Sequence, residues 1–280
     1  MAEPAPAPAG RPPVISFLTD FGPDATAPGV CRGVMLGIAP EARIVDLTHA
    51  VRPFDVAEGA FLLWTAIPHL PLGVHLAVVD PGVGTERRPV ALRAARGDVL
   101  VGPDNGLLRP AAERLGGLVE ARVLENPALW RHPVSSTFHG RDMFAPVAAH
   151  LAAGEPFASV GPVVDVSALV DLRFPEPAHR PGALESAVIF VDRFGNCRLA
   201  GDLDDLRRLG GEPDGRRYRL TLPDGPREVP FHRTFGRVEP GEPLLYEDAD
   251  MAGLGLAVRN GSAAEVLGLA PGAQVEIRPA

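Results

Sequence analysis

Residues 75–88 read HLAVVDPGVGTERR, and they settle the architecture before any other stretch does. A short apolar run rich in β-formers stops at Asp80, a Pro-Gly pair and a second glycine turn the chain, and Arg87 and Arg88 follow. A continuous apolar run bounded by turn residues is the pattern of a strand covered on both faces, as in sheets sandwiched by helices. The simplest role for an arginine returning toward a strand-end carboxylate is a salt bridge that pins the turn. A chemical role requires further partners.

Outward from this stretch the same alternation recurs. VISFLTDFG (14–22) reads as a buried strand feeding a loop at Asp20, GVCRGVMLGIAPEA as a helix ended near Pro40, and RIVDLTHAV as a second strand. DVAEGAFLLWTAIPHL is a helix opened by Asp55, and PVALRAARGDVLVGPDNGLL a hairpin-like pair of strands. Strands alternating with helices imply an α/β domain with a largely parallel central sheet over 14–172. LRFPEPAHRPGAL, with three prolines and no periodicity, reads as a linker over 173–184. Beyond it, 185–280 switches to short alternating runs separated by Gly, Pro and Asp, which predicts a smaller all-β barrel or sandwich. The opening MAEPAPAPAGRPP (1–13) has the Pro/Ala composition of a disordered tail and lacks the basic start and apolar core of a secretory signal.

Composition narrows the partners. With 280 residues and 46% hydrophobic content there is ample material for a core. A net charge of -8, with both signs interspersed, gives no footprint for nucleic acid or anionic membrane, so small molecules are the expected partners. No apolar window is long enough to span a bilayer. Cys31 and Cys197 are the only cysteines and lack any disulfide or zinc-ligand spacing, which suits a reducing cytoplasm. All 27 basic residues are Arg, so an individual arginine needs independent support before it is given a role.

Polar residues gather where the strands end: Asp20, Asp46 with His49, Asp80, and Asp104 with Asn105. In open α/β sheets ligands bind beyond the carboxyl ends of strands, so the site is sought there. In STFHGRDMFAPVAAHLAAG, His139 stands beside Gly140, which permits close approach, while Asp142 reads as a helix cap with Arg141 its surface neighbour. Asp46 and His49 read as a hydrogen-bonded strand end. The scattered Asp and His residues show no metal-ligand spacing, and no GxSxG elbow, GxGxxG loop or Walker loop is present. No metal or cofactor is therefore expected. In the second domain VDRFGNCRL places Asp192, Phe194 and Asn196 in a glycine turn that suits either a plain hairpin or a purine and amine site.

Taken in order, FLTDFG, IVDLTH, VVDPGVGTERR, VGPDNGLL, STFHGRDMFAPVAAHLAAG, DRFGN and LAVRNGSAAEVLGL resemble the motifs of the S-adenosyl-L-methionine hydroxide adenosyltransferases, hydrolase relatives of fluorinase and chlorinase. The resemblance covers Val14 to Ile277. It implies an α/β domain followed by a β-barrel, and homotrimers with sites between the first domain of one subunit and the second of the next. It also implies metal-independent hydrolysis of S-adenosylmethionine (SAM), which is substrate rather than cofactor, to adenosine and L-methionine. The catalytic set carried over is Asp80, Arg87 and His139. Asp20 falls on the carboxylate that grips the ribose hydroxyls, Phe54 on an aromatic position at the ribose end, and Gly140 on the position where the fluorinase has Ser to hold halide. Asp192 matches a residue near the methionine ammonium, Phe194 one beside adenine, Asn196 one whose amide reads an adenine edge, and the backbone near Asn260 should face adenine. An aromatic residue stands in the halogenases where this chain has Asp80, a carboxylate that repels an anion and attracts water.

The methionine end departs from the family pattern. Where relatives carry TDFGxxD this chain has TDFGPDA, so Ala25 replaces a carboxylate and Asp24 is the nearest one. The usual Asn-Ser is Ala249-Asp250, and the Thr-Asn after DRFGN is Leu199-Ala200. These changes predict weakened or relocated recognition of the amino-acid moiety, with Asp24 or Asp250 contacting the ammonium, or a different sulfonium tail. The rival readings are a non-catalytic SAM or adenosine binder and a scaffolding trimer; neither needs Asp80, Arg87 and His139 together.

Overall fold

A computed structural model describes residues 12–248 and 253–280; the Pro/Ala tail up to Arg11, together with Ala249 and Asp250, lies outside the described residues. The chain divides into two compact units, Met1–Leu172 and Arg173–Ala280.

The first unit follows the expected alternation: β1 (Val14–Thr19), α1 (Thr26–Ile38), β2 (Arg43–Thr48), α2 (Val56–Ala66), β3 (Val74–Val78), β4 (Pro89–Ala94), β5 (Val99–Pro103), α3 (Arg109–Arg114), β6 (Leu118–Val123), α4 (Ala145–Ala152) and β7 (Val163–Val164). The strand order is β2-β1-β3-β5-β4-β6-β7. Neighbours are parallel from β2 through β5 and antiparallel from β5 through β7, so the sheet is mixed, with its parallel half holding the strand ends of interest. Every residue of β3 is buried, as an apolar run without alternation requires. Val74, Leu76 and Val78 join Cys31 and Met35 of α1 and Val147 of α4 in one core cluster. On the opposite face Gly59 of α2 leaves no room for a Cβ beside Val79 and Leu107. The Asp55 side chain accepts from the Glu58 N–H and so caps α2, which supplies one of the donors orphaned at a helix start.

The second unit contains β8 (Ala178–Arg180), β9 (Ala183–Val191), β10 (Cys197–Leu199), β11 (Arg217–Leu222), β12 (Gly225–Pro230), β13 (Pro243–Asp248), β14 (Gly253–Val258) and β15 (Gln274–Pro279). They form an antiparallel sheet in the order β12-β11-β15-β9-β10-β14-β13, with β8 beside β9. The segment read as a linker therefore donates a short strand. A bridge between Phe231 and Leu245, backed by the His232 N–H donating to the Leu245 carbonyl, brings the two outer strands together and nearly closes a barrel. RYRLTL of β11 shows how sequence builds it: Tyr218, Leu220 and Leu222 point inward and are buried, while Arg217, Arg219 and Thr221 are exposed. Both cysteines are buried and free, and burial pushes each thiol up to about 12. Among the described residues no helix is long and apolar enough to cross a membrane.

Candidate active site

After β3 the chain makes two turns that return Arg87 to Asp80. The Val83 N–H donates to the Asp80 carbonyl, and both the Thr85 N–H and hydroxyl donate to the Gly82 carbonyl. Gly84 has φ 76°, and a Cβ there would stand 2.4 Å from the Ser136 carbonyl oxygen, so the second turn accepts only glycine. The outcome is a bidentate pair in which Arg87 Nη2 donates to Asp80 Oδ2 at 2.5 Å and Arg87 Nε to Oδ1 at 3.1 Å. Asp80 is 6% and Arg87 8% exposed. Such a pair in a water-poor setting holds its geometry in a way a surface pair does not.

The missing partner is His139. Arg87 Nη2 also donates to His139 Nδ1 at 3.3 Å; since a guanidinium can only donate, Nδ1 is the acceptor and the ring proton sits on Nε2. Burial, and then the Arg87 charge, push the His139 imidazole below its ordinary 6.5, so the neutral ring prevails at neutral pH. Arg87 Nη1 is buried without a hydrogen-bond partner, and the guanidinium lies over the Phe144 ring at 5.2 Å.

His139 leads into a wide helical turn, Gly140–Phe144, in which the Ala145 N–H donates to the Gly140 carbonyl five residues back. Asp142 does not cap α4, contrary to expectation. It is fully buried and receives the Ser135 N–H, Arg141 Nε and Nη2, and Arg131 Nη1. Burial alone would raise its carboxyl, but the bonds from Arg141 and the Ser135 amide outweigh it and hold the group below the usual carboxylate range. The real work of Asp142 is to lock the loop that presents His139. The helix starts later than the motif suggests because the wide turn intervenes.

Asp80 and His139 border a cleft of about 240 Å³, together with Asp20, Phe54 and Gly140. Five of the predicted residues thus meet at one place, and Arg87 stands behind two of them. Asp20 Oδ2 accepts from the Phe54 N–H at 2.9 Å, and Phe54 has φ 69° with its ring 71% exposed. Phe21, Val83, Thr137 and Phe138 also line the cleft and were not singled out in the sequence. Phe21 packs edge-on to Phe138, and a Cβ on Gly140 would lie 2.8 Å from its ring. The signal for Phe21 was its place inside TDFG, one residue past Asp20. Asp24 and Ala25 are exposed, and Ala25 begins α1 without a side-chain cap. A larger groove of about 930 Å³ opens near Val74 and Val99, at the other end of those strands, and holds none of the predicted residues.

In the second unit Asp192 is committed to its own turn. Oδ1 accepts from the Phe194 and Asn196 N–H groups, and Oδ2 from the Asn196 side-chain amide. Phe194 is left 70% exposed on this rigid turn, and Gly195 packs so tightly on Ser262 that no Cβ fits. Asn260 follows β14 with φ 56°, in a tight turn where the Gly261 N–H donates to Val258. Asp250 lies outside the described residues. Among the described residues, no group of three His, Cys, Asp or Glu side chains is arranged to hold a metal ion.

Comparison with known proteins agrees over both units. Residues 15–161 match the model of the SAM hydroxide adenosyltransferase N-terminal domain, and 186–276 that of its C-terminal domain. The chain is 47% identical over 267 residues to an (R)-S-adenosyl-L-methionine hydrolase of Salinispora tropica, covering 95% of this chain and 97% of that protein. A hydrolase of the same name from Thermus thermophilus is 42% identical, covering 94% and 98%. Among solved structures, an uncharacterized conserved protein from Thermotoga maritima superposes with a TM-score of 0.88 at 35% identity, over 94% of this chain and 99% of that one.

Proposed function

Since the chain belongs to the SAM hydroxide adenosyltransferase family, we propose that it hydrolyses SAM to adenosine and L-methionine by in-line attack of water at C5′. The observation that carries this reading is the interlocked set at the cleft: Asp80 and His139 at its wall, both held by Arg87.

In the reaction the water oxygen forms a bond to C5′ while the C5′–S pair leaves with sulfur. The sulfonium departs as a neutral thioether, so the leaving group needs no acid, and the chemistry as written calls on no cofactor. The difficulty is the nucleophile. Asp80 takes the proton of the attacking water, a step typically worth about 10²- to 10⁴-fold. His139 offers its Nε2–H to the same oxygen and fixes its approach, and Arg87 sets both partners. A halide in that place would face the Asp80 carboxylate at close range, which disfavours it.

Asp20 takes the ribose hydroxyls and Phe54 borders the ribose, while Phe194 offers a ring face to adenine on the turn shaped by Asp192 and Asn196. The Asn260 backbone toward adenine and Asp250 toward the methionine ammonium complete the reading, together with a homotrimeric assembly and a cytoplasmic location. A mass three times that of the chain by light scattering is the expected result for the trimer.

The test of the reaction is incubation with SAM in oxygen-18 water. Label in the 5′-hydroxyl of adenosine is expected. Unchanged SAM despite measurable binding, or 5′-halo-5′-deoxyadenosine as the main product when halide is added, overturns the proposal.

A further inference from the structure

Where β1 and β2 part, a buried histidine that takes no part in the proposed chemistry is bonded through both ring nitrogens. His49 Nε2 lies 3.0 Å from Asp46 Oδ1, and Asp46 Oδ2 is held by Arg32 at 2.6 Å. His49 Nδ1 lies 3.0 Å from Thr19 Oγ1, which in turn accepts from the Phe21 N–H at 3.2 Å. The Phe17 ring meets the imidazole edge-on at 4.7 Å, and the His49 carbonyl accepts from the Gly22 N–H at 2.8 Å.

With a neutral imidazole the bonds run in one direction: a carboxylate only accepts, so Nε2 carries the proton toward Asp46, Nδ1 accepts, and the Thr19 hydroxyl donates to it. With its hydrogen committed there, Thr19 Oγ1 is free to accept from Phe21. Thr19 is fully buried, so water cannot replace either bond. The β1–β2 ladder slips between Phe17 and Leu18, so that Leu18 pairs with Thr48, and past the strand ends the His49 carbonyl holds the turn through the Gly22 N–H.

What this chain fixes is the backbone on both sides of Asp20, whose carboxylate accepts from the Phe54 N–H at 2.9 Å. We propose that His49 is a positioning residue for nucleoside binding: acting through Thr19, it holds the Thr19–Gly22 turn so that the Asp20 carboxylate meets a ribose diol. The proposal rests on the assignment of Asp20 to the ribose given above.

The test compares the affinity of the full chain for adenosine and for 2′,3′-dideoxyadenosine by calorimetry. Thr19→Val, which keeps shape and removes only the hydroxyl, and His49→Ala should each weaken adenosine binding about tenfold while leaving the dideoxynucleoside within about twofold. The double variant should be no worse than either single one, because the two residues act as one unit. His49→Asn, whose amide oxygen can stand in for Nδ1, should recover part of the loss. Equal losses for the two nucleosides, additive losses, or unchanged adenosine affinity in Thr19→Val overturn the proposal. If the unmodified chain itself fails to prefer adenosine, the assignment of Asp20 is what fails, and the positioning role falls with it.

Discussion

Strand β3 carries a histidine cluster at its start and an acidic cluster just past its end, and the two differ in an instructive way. At the start, Ser16 Oγ lies 2.8 Å from His75 Nδ1, His75 Nε2 lies 2.9 Å from Asp98 Oδ1, and Arg96 donates to both oxygens of Asp98. By residue type and distance this resembles a hydrolytic triad more than Asp80, Arg87 and His139 do. Yet Ser16, His75 and Asp98 are all completely buried, and no substrate atom can reach them. The five residue steps from His75 to Asp80 rise about 16 Å, which separates a cluster that secures the sheet from one that borders a cleft. Access, rather than the inventory of side chains, assigns the chemistry.

The largest break in this comparison comes from Asp80→Asn, which should lower adenosine release from SAM by about 10²- to 10⁴-fold per folded molecule, with a loss of stability beside it because Arg87 is left buried without its partner. Asp98→Asn should cost about 3–5 kcal/mol of stability with turnover of the folded fraction nearly intact; chemical denaturation and kcat measured on one preparation separate the two. Burial would raise the Asp98 carboxyl, but bonds from Arg96 and His75 outweigh it and hold it well below its ordinary range. Its folded value thus lies below the unfolded one near 4, and the stability it supplies is present above about pH 4 and lost as the pH falls further. The gap between Asp98→Asn and the unmodified chain should close in acid.

A smaller effect sharpens the view of the cleft. Gly140→Ser forces a Cβ to within 2.8 Å of the Phe21 ring, an overpacking that should cut kcat/KM roughly ten- to hundredfold, and Phe21→Leu in the same chain should restore much of it. The smallest is a shift in titration. His139 should titrate below 6.5 by NMR, because burial and then Arg87 depress it, and Arg87→Gln should move it upward. An unshifted His139 in Arg87→Gln would break the link drawn between them.

The alternation of strands and helices was legible because burial on two faces writes itself into composition: VHLAV cannot be anything but interior. The antiparallel half of the first sheet was not, since β4 buries its side chains much as β3 does and strand direction leaves no mark on hydropathy. The bond between Asp46 and His49 could be read from a spacing of three, whereas the bond from His49 to Thr19 depends on a ladder slip between two strands that no local pattern encodes. Asp142 misled for a related reason. A carboxylate just ahead of an apolar run has the look of a cap, and only the wide turn reveals that it faces Ser135 and Arg131 instead. Asp80 and Arg87 were visible as a pair; that His139 joins them required the resemblance.

Phe54 bears on how variants of this protein should be selected. A phenylalanine at φ 69° pays roughly 1–2 kcal/mol for its left-handed backbone, which Phe54→Gly would largely relieve. A library sorted for heat resistance alone would therefore favour the glycine and discard the ring at the mouth of the cleft. Sorting for nucleoside capture would keep the ring and its strain, so the choice of sieve decides which molecule is recovered.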